Sequence, residues 1–131
     1  MINPLRWKFM DQPEYRPSLP GDPTTLPFAE VRRLLFQFTE IYRWAEQTIG
    51  IKRAQVKLLK TQLDNSIRFA QTGAGRGSMA QRERQVKIEH IQVVNKLADM
   101  EADILALEGL AVGFNAAREV LSREITSRIK E

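Results

Sequence analysis

Cysteine is absent from all 131 residues, which removes disulfides, thiolate metal sites and cysteine nucleophiles together and fits a reducing cytoplasm. Histidine occurs once, at His90, with no spaced Ser and Asp to complete a triad. No apolar run approaches the roughly 20 residues of a membrane span. No basic segment leads into an apolar signal-peptide core. Proline is missing after Pro27, although six occur up to and including that point. Acids are scarce in the middle of the chain: between Lys52 and Arg82 the only one is Asp64. These absences argue against an enzyme, a cofactor, a metal and a membrane, and leave a binding or structural protein.

The proline boundary divides the chain. Proline blocks helix interiors and favours extended or turn geometry, so residues 1–27 are expected to form an extended arm. Within it Leu5, Trp7 and Phe9 alternate with Arg6 and Lys8, the period of an extended segment with one apolar face. That face could stack on bases, but it better suits packing on the chain's own helices or on a neighbouring subunit, since exposed Trp and Phe need a surface to cover.

The remainder, 28–131, is expected to be all-α. A threonine and a first-turn Pro27 precede Val31, Leu34, Leu35, Phe38, Ile41, Tyr42 and Ala45, which recur at helical spacing. After a gap the pattern resumes with Val56, Leu59, Leu63 and Ile67 and ends at Gly73. Gly50 interrupts this first helix, about 28–72, and leaves a bend or break there open. A glycine-rich joint follows at 73–77. Ser78 and Gln81 fit a capping box that opens a second helix, about 78–130. Val93, Leu97, Met100, Ile104, Leu107, Ala111, Phe114 and Leu121 alternate steps of three and four along it.

Two such helices form a long antiparallel hairpin that buries one stripe on each. Much of Leu34, Leu35, Phe36, Phe38, Ile41 and Trp44 is then expected to remain exposed on a monomer, and Leu34, Phe38, Ile41 and Trp44 to join Leu97, Ile104, Gly109, Gly113 and Phe114 in a homo-oligomer interface. Gly109 and Gly113 lie in a small-residue strip that suits close approach of a partner helix. Asp99 and Asp103 share a face, but no Glu-x-x-His pattern joins them, so a solvated acidic face, or one that pairs with a neighbour's basic stripe, is expected.

The joint, Gly73-Ala-Gly-Arg-Gly77, matches neither nucleotide-binding fingerprint, because Gly77 is followed by Ser78 and Met79 rather than Lys and Ser/Thr. What surrounds it is basic. Lys52, Arg53, Lys57 and Lys60 lead towards Arg68, Arg76, Arg82, Arg84 and Lys87. From Arg43 to Lys87 ten bases face three acids. Such a stripe attracts a phosphate backbone without reading bases; the competing reading is a face that keeps the helix soluble or pairs with acids on another subunit.

The order of elements resembles a known family. Tyr42, Trp44, Ile51-Lys52, Arg68, Gly75-Arg76-Gly77, Ser78-Met79 and Ser122-Arg123 follow the pattern of the UvsY-type recombination mediators of tailed bacteriophages, over roughly residues 36–128. The resemblance implies a helical, ring-forming protein that binds single-stranded DNA and helps a recombinase displace single-strand-binding protein. It places DNA contact at Arg68 and, less directly, Lys60, and a phage-encoded chain would act in the host cytoplasm. Phe69-Ala70 stands where the family has a tyrosine pair, and the arm has no counterpart. The alternative expectation is a structural or assembly protein of a phage particle, whose arm and helices lock onto neighbouring subunits.

Overall fold

The computed structural model describes residues 9–72 and 79–130, with the side chains at 70–72, 79, 82, 86, 87 and 89 outside that description. Among the described residues there is no strand. The described elements are a 3-10 turn at Pro23–Thr25 followed by the helices α1 (Phe28–Thr72), α2 (Met79–Glu89) and α3 (Ile91–Lys130). The all-α expectation holds, and α1 spans the expected range. Gly50 neither ends nor interrupts α1, because the propensity cost of one glycine, about 1 kcal/mol, is small beside the packing on either side of it.

Two expectations at helix ends are corrected. The second helix is interrupted at His90, which separates α2 from α3 and whose carbonyl accepts from Val94 N–H at 3.0 Å. The apolar three-four spacing begins only at Val93. Before it, Ile88, His90 and Ile91 are weaker helix formers. The start of α1 also differs, since no threonine caps it. Pro27 O accepts from Glu30 N–H and Val31 N–H at 3.0 and 3.1 Å. Thr24 instead belongs to the 3-10 turn, whose cap is Asp22; its carboxylate accepts from Thr24 N–H at 3.0 Å.

The chain separates into two compact units. One, the arm unit, comprises Phe9–Ile49 and Ala106–Glu131. Its core is the α1 stripe Val31, Leu34, Phe38 and Ile41 against Ala117 and Leu121 of α3, with Leu19 and Leu26 of the arm packed against it. Ile41 is 2% exposed and Leu121 is fully covered. The two helices run antiparallel here. Arg118 stacks over the Tyr42 ring at 4.7 Å, and further along α3 Arg128 donates to Pro23 O at 3.1 Å and Thr24 O at 3.3 Å. Arg128 also pairs with Glu124 at 2.7 Å, so one guanidinium ties the arm to α3.

The arm explains why Leu34, Phe38 and Ile41 are not exposed on the single chain, as a two-helix count suggested. They form one i, i+4, i+7 stripe that α3 covers, while Leu35 and Trp44, partly buried, pack at its margin. Of that group only Phe36 stays open, at 62%. Leu5 and Trp7 lie outside the described residues.

The other unit, which we call the joint unit, contains Gly50–Leu105. Its buried side chains include Ile51, Val56, Leu59 and Ile67 of α1 and Leu97, Met100 and Ile104 of α3. Here too α1 and α3 are antiparallel, as cross-helix pairs of Lys52 with Asp103 and Lys60 with Glu101 show. The joint at 73–77 and the Ser78 cap lie outside the described residues.

Two predictions follow from the arm unit. Thr48 Oγ1 is buried without a hydrogen-bond partner, which costs about 1–3 kcal/mol. Thr48→Val, near-isosteric and equally β-branched, should raise unfolding free energy by about 1 kcal/mol in urea titration; a loss of stability would contradict that reading. Glu30 accepts two hydrogen bonds from Arg33, which hold its carboxyl below the ordinary value. The pair therefore contributes above the unfolded-state carboxylate pKa and fades as pH falls through the lower folded value. Arg33→Ala should shift the Glu30 midpoint upward in an NMR titration; an unmoved midpoint would exclude Arg33 as the cause.

Candidate nucleic-acid interface

Charge is unequally shared. The described residues of the joint unit carry nine Lys/Arg against six Asp/Glu; those of the arm unit carry eight against nine. The positive excess therefore belongs to the segments that flank the joint.

Within the joint unit the predicted basic residues divide into two groups. Lys52 is largely covered and pairs with Asp103 at 3.5 Å, and Lys60 pairs with Glu101 at 2.8 Å. The acids that neutralise these two come from α3 of the same chain, not from another subunit. The other group faces solvent. Arg53, Lys57 and Arg68 are exposed and, at steps of four and eleven, share one flank of α1, about a quarter-turn from the buried row of Val56, Leu59 and Ile67. Arg84 is exposed on α2. The side chains of Lys57, Arg68 and Arg84 make no ion pair among the described residues. Arg82 and Lys87 lie on α2 with their side chains outside the description, and Arg76 falls in the undescribed joint.

One residue that composition and spacing passed over stands beside this flank. Phe69, next to Arg68, is 79% exposed, the most open of the large apolar side chains. The signal for it in sequence is its place out of step with Leu59, Leu63 and Ile67.

Of the residues expected at a subunit interface, Leu34, Phe38, Ile41, Leu97 and Ile104 are buried within the chain, and Trp44 and Phe114 are partly buried against the arm-unit core. Gly109 and Gly113 are different. A Cβ added at either meets nothing within 4 Å, so packing within the chain does not require glycine there. Leu110 and Val112 beside them are 53% and 71% exposed. An open apolar groove of about 450 Å³ runs between Pro17, Leu19, Gly113, Phe114 and Val120. Among the described residues no cluster of acids or His could hold a metal, and Asp103 is engaged by Lys52. No described helix is long and apolar enough to cross a membrane.

Comparison with protein-family models, with curated proteins and with solved structures returns no match.

The ion pairs generate a prediction. Both cross-helix pairs are surface pairs, each worth about 0–1 kcal/mol. Glu101→Gln with Asp103→Asn should therefore lower unfolding free energy by less than about 2 kcal/mol. A larger loss would show that the pairs, rather than the apolar seam, hold the joint unit together.

Proposed function

We propose that this chain is a non-enzymatic, self-associating binder of single-stranded DNA that helps a recombinase assemble on it. The observation that carries the DNA reading is the exposure of Lys57 and Arg68 on α1 and of Arg84 on α2, none of which pairs with an acid among the described residues, while α3 neutralises Lys52 and Lys60. Fixed cations on helices attract phosphates irrespective of sequence. Their position on regular helices holds them at set spacing, which suits tracking along a backbone.

The preference for a single strand, and the recombinase and single-strand-binding protein as partners, rest on the resemblance to UvsY-type mediators. Self-association is supported by the exposed apolar face of α3 at Gly109, Leu110, Val112 and Gly113. That same face favours the second reading, an assembly protein whose subunits lock together and whose bases only keep it soluble. The arm gives that reading less support than expected, since Leu19 and Leu26 are spent on the chain's own core.

Reversing charge at the three cations together, Lys57→Glu, Arg68→Glu and Arg84→Glu, separates the readings. Binding to an oligonucleotide should fall at least 100-fold by fluorescence anisotropy while solution mass and helicity stay unchanged. Unchanged affinity would remove this flank as the site, and no binding by the parent protein at low salt would remove the DNA reading altogether.

A further inference from the structure

Resting on the self-association that both readings above share, we propose that residues 1–8 of a second copy cover the open face of α3, with Leu5 and Trp7 seated over Gly109 and Gly113. The face belongs to the arm unit. From Ala106 to Ala116 every exposed residue of α3 is apolar: Ala106, Gly109, Leu110, Val112, Gly113 and Ala116. At about 100° per residue, all but Leu110 fall within about a third of the helix circumference. Val112 is 71% open to water and Leu110 53%, which forfeits much of the gain from burying them. The two glycines cost helix propensity and face open space. The apolar groove of about 450 Å³ runs along one edge of this face, beside Pro17 and Leu19.

Shape, charge and the path of the arm point to the occupant. In an extended segment Leu5 and Trp7 stand on one side about 7 Å apart, and Gly109 and Gly113 lie about 6 Å apart along α3. Two apolar side chains thus meet two vacancies at nearly one pitch. Residues 1–8 carry Arg6 and Lys8 and no acid, while α3 ahead of the face carries Asp99, Glu101, Asp103 and Glu108 against Lys96 alone. Glu101 and Asp103 hold Lys60 and Lys52, but Asp99 makes no ion pair among the described residues. That opposition of charge draws the segment to this part of α3. The arm's path says which copy supplies it. Pro17 borders the groove beside α3, whereas Tyr15 and Arg16 line a cavity over Glu30, Arg33 and Gln37 of α1. Followed back towards residue 1, the arm turns from α3 to α1. It leads its own first residues away from the open face and so offers them to a neighbour.

The absence of cysteine makes the test direct. Full-length chains carrying only Lys8→Cys are refolded together with chains carrying only Val112→Cys and treated with a short thiol-to-thiol cross-linker. Mixed dimers should form, and should be lost when Phe36→Cys, at an open position on α1, takes the place of Val112→Cys. Separately, Leu5→Ser with Trp7→Ser should weaken self-association roughly 10- to 100-fold by sedimentation, the scale of unburying one large apolar side chain. Helicity should stay unchanged, and Val112→Glu should weaken self-association as much. The proposal is overturned if Val112→Glu disrupts self-association while Leu5→Ser with Trp7→Ser does not, since another helix then covers the face. It is also overturned if the two single-cysteine chains do not join, or join as readily through Phe36→Cys. Cross-linking confined within one chain carrying both Lys8→Cys and Val112→Cys would overturn it too, because the segment on α3 is then the chain's own. A parent protein that stays monomeric at every concentration removes the self-association reading itself, a result distinct from these.

Discussion

Burial of one apolar stripe of α1 against α3 is the constraint on which the other features depend. In the arm unit it seats Val31, Leu34, Phe38 and Ile41 on Ala117 and Leu121; in the joint unit it buries Val56, Leu59 and Ile67 on one helix and Leu97, Met100 and Ile104 on the other. A helix with one face so committed has no freedom over where its remaining side chains point. Lys57 and Arg68 are outward because Val56 and Ile67 are inward, and Phe69 is outward for the same reason. The stripe also fixes which bases meet acids, bringing Lys52 to Asp103 and Lys60 to Glu101.

That sorting of cations gives the chain its chemical character. A basic stretch whose every charge found a carboxylate would be a structural device. Here α3 neutralises two members and leaves Lys57, Arg68 and Arg84 to solvent. None of these three pairs with an acid among the described residues. On the proposed function, a polyanion is the partner that such open cations await. The glycines of α3 follow a parallel logic: Gly109 and Gly113 lower helix propensity yet clear no space that the chain itself uses.

Much of this was legible from residue order. The absence of proline after Pro27 and the three-four spacing marked the helices, and α1 spans the range those signals imply. The break at His90 was not legible, because the charged α2 segment carries no apolar period against which an interruption could be seen. Leu34, Phe38 and Ile41 were expected to need a second subunit; a count of two helices omits the arm, whose Leu19 and Leu26 close the core from a third side. The basic stripe was legible as composition. Its division into paired and open members was not, since Lys60 and Glu101 are 41 positions apart in sequence and meet only once the hairpin closes. The exposure of Phe69 was not legible for a related reason: it is a property of register, and hydrophobicity alone assigns every phenylalanine to a core.

The central claim is electrostatic, and salt tests it most directly. Three open cations per subunit, each displacing a counterion from a single strand, give a slope of roughly −2 in log K against log [salt] for each subunit engaged. Anisotropy titrations of the full-length protein against oligo-dT across a range of sodium chloride concentrations measure it. A slope near that value, with affinity largely lost at high salt, is the result expected. Binding that ignores salt, or no binding at the lowest salt, would contradict the account.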